Sequence, residues 1–423
     1  MRNPLIIRGA RQVGKSTLVH LFCKQENITL LEMNLEIESL KSIHHENFKL
    51  QSLLDEIQLK KRCKIDKNTL IFFDEIQESP RLLKLLRYFY EEAPHLKIMA
   101  AGSLLEITLK SENFSFPVGR VEFYHLGPLS FREFLLATSR EFLDEKLLNF
   151  DFSEEVHQEG INALREYFYV GGMPQAVKEF SESQGLLEMR RIQSQIIQTY
   201  QMDFPKYNRR INLDRISRIF SSMALHIGKK VIYSKIDAES SSRDTKRVLE
   251  ILMDARVLLP CIHSCGNNSP LAGESDPAIL KTYFIDIGLL GAMLNLDLET
   301  IDYEFKNLFN LRGCLAEQFV AQHLFFANSE YSLPSLFYHL RDKGTQKAEI
   351  DFLFEKKSKI YPMEIKSSAK GHLKSLKYFC DSKKSPAGIK ISLAPYSVEE
   401  MAFGASPLIN IPLYAIEYWI SRQ

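Results

Sequence analysis

The chain alternates between short unbroken apolar runs and longer stretches of helical periodicity. Leu5-Ile6-Ile7, Leu70-Ile71-Phe72-Phe73 and Ile98-Met99-Ala100-Ala101 are apolar without interruption, and each reads as a buried parallel strand. After Phe134 the apolar residues recur at helical spacing, through positions 164–168 and 186–197. Positions 211–226 predict an amphipathic helix, 233–236 a short one and 242–254 a third, with strands at 256–262 and 281–285. Further on, 311–325 predicts a helix and 336–340 a strand. The segment 348–354 alternates as a strand does, 359–366 follows as its hairpin partner, 372–379 returns to helical spacing, and 388–393 is a last strand.

Chemistry gathers where the first strands end. Gly9-Ala10-Arg11-Gln12-Val13-Gly14-Lys15-Ser16, followed by Thr17, fits G-x-x-x-x-G-K-[ST] at every fixed position, between a predicted strand and a predicted helix. Gly9 and Gly14 let the backbone wrap close to phosphate, and the N–H groups of the loop and helix start point at its oxygens. Lys15 neutralises the β- and γ-phosphates, and the Ser16 hydroxyl ligates Mg²⁺. The strand at 69–73 runs into Asp74-Glu75, where Asp74 would hold the Mg²⁺ through water and Glu75 would polarise the attacking water. Arg120, in a loop after Pro117-Val118, has the chemistry of an arginine finger, in cis or from a neighbouring subunit; a surface arginine is an equal reading.

Composition narrows the partners. The net charge of +1 provides no global field toward DNA or acidic membranes, so any nucleic-acid contact must come from a local patch. No apolar run is long enough to span a bilayer, and strand-like residues begin so close to Met1 that no signal peptide is expected. The six cysteines are scattered, as reduced thiols of a cytoplasmic protein would be. Cys261 and Cys265 flank His263 without a second ligand pair downstream, which leaves zinc the weaker reading.

The segments Gly9 to Thr17, Asp74-Glu75-Ile76-Gln77, Ala101-Gly102-Ser103 and Gly127-Pro128-Leu129-Ser130-Phe131-Arg132-Glu133-Phe134 together resemble the prokaryotic AAA-superfamily ATPases that carry a C-terminal domain of unknown function. The resemblance implies ATP as ligand, a helical lid after the core, and Ser103 as the polar residue near the γ-phosphate; a helix N-cap is the other reading of Ser103. Tyr169-Val170-Gly171-Gly172-Met173-Pro174 is similar to the glycine–proline turn that contacts nucleotide in STAND-type relatives, which implies that role for Gly172 and Pro174. Relatives usually carry a helix before the first strand; here the strand lies almost at Met1, so the base-binding side departs from the family pattern.

The three helices and hairpin of 209–295 follow the order of a winged helix, whose third helix can enter a major groove. Arg243, Lys246 and Arg247 lie on that helix, and Lys229 and Lys230 precede it; such a face can neutralise phosphates of DNA or RNA, or be solvated, or meet a protein. The C-terminal order resembles the PD-(D/E)xK nuclease superfamily, with Asp351, Glu364-x-Lys366 and the helical acid Glu317 matching by type. The resemblance implies that Glu317, Asp351 and Glu364 hold a second divalent metal, while Lys366 orients water and is not a ligand. It also covers inactive forms that only bind.

The expected architecture is therefore α/β: a P-loop AAA-type parallel-sheet core (1–135), a helical lid (136–208), a winged-helix domain (209–295) and a PD-(D/E)xK-like domain (305–423). Two functions fit it. One is an ATP-hydrolysing protein acting on nucleic acid; the other is an ATP-controlled switch that assembles, as a homo-oligomer or with a protein partner, and whose C-terminal domain only binds.

Overall fold

The computed structural model describes residues 3–109, 119–183, 185–207, 212–297, 299–301, 313–327, 335–341, 348–366, 373–403 and 406–422. Pro117 and Val118, and the stretch 305–312 that opens the expected nuclease-like domain, lie outside the described residues. The chain forms two compact units, one built on Met1–Gly127 and the other on the chain from Pro128 onward.

In the first unit, β1 (Leu5–Arg8), β2 (Thr29–Asn34), β3 (Thr69–Asp74), β4 (Lys97–Gly102) and β5 (Glu122–His125) form one sheet in the order β2-β3-β4-β1-β5. Every pairing in it is parallel, and parallel strands need crossovers. Helices Lys15–Gln25, Leu50–Lys61 and Pro80–Glu92 lie in the connections between consecutive strands. Strand pleating sends neighbouring residues to opposite faces. Ile6, Ile71, Phe73 and Ala100 pack with Leu82, Leu86 and Phe89 in one apolar cluster. Ile7, Leu70, Phe72 and Ala101 pack with Val19 and Cys23 of the first helix in another. Burial on both faces explains the unbroken apolar runs, and each buried phenylalanine contributes about 2–3 kcal/mol. β4 lies between β1, which leads into Gly9, and β3, which ends on Asp74.

The second unit starts with helices Phe131–Ala137, Glu141–Leu148, Glu154–Val170, Pro174–Ser183 and Leu186–Tyr207. Ser130 and Glu133 start the first of these with a reciprocal capping box, Ser130 Oγ accepting from the Glu133 N–H and Glu133 Oε2 from the Ser130 N–H. Helices Leu213–Met223, Tyr233–Ile236 and Ser242–Asp254 come next. β6 (Leu258–Ser264), β7 (Ser275–Phe284), β8 (Leu336–Arg341), β9 (Ala348–Lys356), β10 (Lys359–Ile365), β11 (Gly388–Ser392), β12 (Ser397–Phe403) and β13 (Ser406–Pro412) build a mixed sheet in the order β12-β13-β11-β10-β9-β8-β6-β7. Helix Gly313–Phe326 packs against β6, β7, β8 and β10, and its near-continuous burial is why it is apolar on most sides.

The hairpin expected as a wing is not separate from the C-terminal sheet. β6 pairs antiparallel with β7 on one side and parallel with β8 on the other, with Cys261 opposite Leu336 and Ile262 opposite Phe337. The expected division between 295 and 305 therefore does not divide the sheet. Strands β12 and β13 have no counterpart in the sequence reading. Among the described residues no helix is long and apolar enough to cross a membrane.

Candidate functional site

The loop after β1 turns sharply into its helix. Gln12 has φ 63° and Gly14 φ 92°, and Gly14 caps helix Lys15–Gln25 in the left-handed region where glycine is unstrained. Gly9 is needed for a reason the motif does not state: a Cβ there would lie 2.3 Å from the Leu126 carbonyl oxygen. Lys15 is buried and its Nζ donates to the carbonyls of Ala10 (2.7 Å) and Gly9 (3.2 Å), so the ammonium is held over the loop.

The two expected Mg²⁺ residues meet. Ser16 Oγ donates to Asp74 Oδ2 at 2.7 Å, across 58 residues of sequence. The other oxygen, Asp74 Oδ1, accepts from the Glu75 N–H at 3.0 Å, which fixes the carboxylate at the end of β3. Glu75 has φ 50°, a strained value for a side chain of its size, and its Oε2 accepts from the Gln77 amide at 2.5 Å. Gln77 in turn sits against Gly102, where a Cβ would come within 2.5 Å of Gln77 Oε1. Just past the end of β4, Ser103 is fully buried and its hydroxyl has no hydrogen-bond partner among the described residues. A buried hydroxyl without a partner calls for an explanation, and a ligand oxygen would supply one. Arg120 is held at the surface, its Nε donating to Glu91 at 2.6 Å.

Comparison with known proteins bears on this arrangement. Residues 1–135 match the family model of an AAA domain (AAA_14). The first unit is an AAA-type P-loop ATPase domain. Further along the chain, residues 161–300 match a domain of unknown function, DUF8612, and 312–414 another, DUF4143. No curated protein matches the chain. Matches among solved structures include the Walker-type ATPase PABY2304 of Pyrococcus abyssi, at 15% identity over 69% of this chain and 91% of that one, with a TM-score of 0.43. The RuvB Holliday junction branch migration motor of Thermotoga maritima matches at 16% identity over 60% and 81%, with a TM-score of 0.27. The ORC2 protein of Aeropyrum pernix matches at 12% identity over 72% and 89%, with a TM-score of 0.31.

The Gly171-Gly172 turn lies in the second unit and has a structural task there. The Gly172 N–H donates to Asp286 Oδ2 at 2.6 Å, and its carbonyl accepts from the Leu129 N–H at 2.6 Å. A Cβ on Gly171 would lie 2.3 Å from Asp286 Oδ1, and one on Gly172 would lie 2.0 Å from the Leu129 oxygen. Asp286 also caps helix Ile287–Met293 through the Leu289 N–H at 2.9 Å. Burial pushes its carboxyl up to about 6, against the pull of these backbone donors. Pro174 opens helix Pro174–Ser183, where a missing N–H costs nothing. This knot joins two of the segments that carried the resemblance, Gly127 to Phe134 and Tyr169 to Pro174; Asp286, its centre, was not foreseen.

The C-terminal acids also come together. Burial pushes the Glu317 carboxyl up to about 8, and the nearby Asp351 carboxylate adds to the rise. Burial likewise raises Asp351, whose Oδ2 accepts from the Ile365 N–H at 2.8 Å. Glu364 Oε1 pairs with Lys366 Nζ at 2.6 Å. Two residues that the sequence reading missed complete the group: Tyr283, whose hydroxyl donates to Glu317 Oε2 at 2.9 Å, and Lys281, whose ammonium pairs with Glu349.

This cluster does not fit the expected second divalent metal. Among the described residues no three His, Cys, Asp or Glu side chains are grouped to hold one. Glu317, Asp351 and Glu364 each have one oxygen engaged by a donor of the chain itself, a phenol, a backbone N–H and an ammonium, and of these three only Glu364 has a buried oxygen, Oε2, without a partner among the described residues. The same holds for the zinc reading, since Cys261 is buried and its thiol is pushed up by burial, while Cys265 is exposed. On helix Ser242–Asp254, Arg243, Lys246 and Arg247 are exposed, and Lys246 pairs loosely with Glu250 at 3.9 Å.

Proposed function

We propose that the protein hydrolyses ATP with Mg²⁺ in its first unit, and that the second unit uses the nucleotide cycle to bind nucleic acid without cutting it. The observation that carries the ATPase reading is the Ser16–Asp74 hydrogen bond of 2.7 Å. It brings together the hydroxyl and carboxylate that would hold Mg²⁺. When bound, the ion would neutralise phosphate charge and align the β- and γ-phosphates.

The chain's own groups do the rest. The Gly9 to Gly14 backbone cradles the phosphates, and Lys15 exchanges its loop carbonyls for phosphate oxygens. Glu75, steadied by Gln77, takes a proton from the water that attacks the γ-phosphorus, giving ADP and inorganic phosphate. Ser103 donates its hydroxyl to the γ-phosphate, and Arg120 serves as a finger toward a neighbouring copy.

A steady-state ATPase assay tests this reading. Lys15→Ala should abolish turnover, and Glu75→Gln should abolish it while leaving ATP bound. Normal hydrolysis by Lys15→Ala would refute the site.

The nucleic-acid part rests on the exposed Arg243, Lys246 and Arg247 face. A binding panel with and without ATP should show affinity that falls steeply with salt and weakens when all three become Ala. Oligomers that form with ATP and ignore DNA and RNA would favour the assembly switch instead.

A further inference from the structure

Lys281 is on β7, opposite Cys261 of β6, and only 3% of its surface is exposed. A lysine ammonium leaves water only where acids receive it. Three do so here: Glu349 of β9 pairs with it directly, and Glu317 of helix Gly313–Phe326 and Asp351 of β9 add their negative charge nearby. The ring of Tyr338 lies 5.0 Å from its Nζ. The ion pair with Glu349 and the face of the Tyr338 ring are the surroundings of a charged ammonium, and the nearby acids raise its hold on a proton against the opposing effect of burial. This charge sits among the acids that the nuclease resemblance would give to a metal.

We propose that Lys281 is a built-in counter-ion that takes the electrostatic place of a divalent cation, so that the acidic cluster of the second unit is closed to Mg²⁺ and Mn²⁺. Two features support it besides the lysine. Tyr283 already donates to Glu317, and Lys366 already pairs with Glu364, so an entering ion would have to displace donors and then face a fixed positive charge. Lys281 is also on the β6–β7 hairpin and not on the hairpin that carries Asp351 and Glu364. A motif search confined to the C-terminal strands cannot find it. The inference is independent of ATP hydrolysis.

Mn²⁺ binding to full-length, nucleotide-free protein, read by electron paramagnetic resonance, tests it. A Ser16→Ala background removes the metal ligand of the P-loop. The parent should show no Mn²⁺ site that responds to Asp351→Asn. Lys281→Met should gain one, with affinity up by about a hundredfold or more, the scale set by removing a buried unit charge, and Asp351→Asn should erase the gain. If Lys281→Met does not fold, Lys281→Met with Glu349→Gln removes the pair together and should show the same gain. Crystals of the parent grown with Mn²⁺ should give no anomalous peak at these carboxylates. Mn²⁺ bound to the parent and lost with Asp351→Asn, or a folded Lys281→Met that binds no better than the parent, would overturn the proposal.

Discussion

The P-loop site and the C-terminal acidic cluster use the same side-chain types and arrive at opposite states. In the first, the lysine is held by carbonyl oxygens and the aspartate by a hydroxyl and a backbone N–H. Lys15 and Asp74 are held by different groups, as separate contacts for a polyanion and its cation would require. In the second, Lys281 lies on Glu349 and Lys366 on Glu364. Lysine beside carboxylate is therefore not a signature of chemistry. What matters is whether the charges cancel inside the protein or are kept for a ligand.

The largest test of this contrast is Asp74→Asn. It should lower ATP turnover by about 10³-fold and leave the thermal midpoint nearly unchanged, because the lost charge serves a ligand. A marked drop in midpoint would mean that Asp74 is structural. Asp286→Ala should do the reverse, costing about 2–4 kcal/mol in urea unfolding, because it strands the buried Gly172 and Leu289 N–H groups. A loss below about 0.5 kcal/mol would show that the knot is not held by its carboxylate.

Glu317 gives a pH signature. Its folded value of about 8 lies above the ordinary 4.5, so the folded state binds a proton more tightly than the unfolded chain. Its contribution to stability is therefore full below pH 4.5 and falls as pH rises to about 8. Unfolding free energies from urea melts across that window, wild type against Glu317→Gln, should differ in slope by about 1 kcal/mol per pH unit. Parallel curves would remove Glu317 from the cluster. The smallest effect expected is from Gly102→Ala, whose methyl group would push on the Gln77 amide that steadies Glu75 and lower kcat by about tenfold with little change in ATP affinity.

The two regions also differ in how far the sequence discloses them. The nucleotide site is legible because its parts are local: a loop fixed by spacing from Gly9 to Ser16, and an acid at the end of an apolar strand. The close approach of Leu126 to Gly9 and the hold of the Gln77 amide on Glu75 needed the fold. Glu317, Asp351, Glu364 and Lys366 were found by type and order, and the fold brings them together, yet their state was not legible. It depends on Lys281, whose burial follows from β6 pairing with β8, strands separated by more than seventy residues. Within its own hairpin Lys281 reads as an ordinary strand lysine. Asp286 was missed for a similar reason, since an acid after a strand looks like a turn until Gly172 and Gln322 reach it.

The shared hairpin has a practical consequence for anyone dividing the protein. The family matches end at 300 and resume at 312, which invites cutting the chain between them. Such a cut would leave β6 in one fragment and β8 in the other, baring a row of backbone donors and acceptors along each new edge. The N-terminal piece would also expose Lys281 without Asp351 or Glu349, and the C-terminal piece would expose those acids without their lysine. Both halves should therefore be sticky and poorly expressed alone, and mixing them should restore solubility.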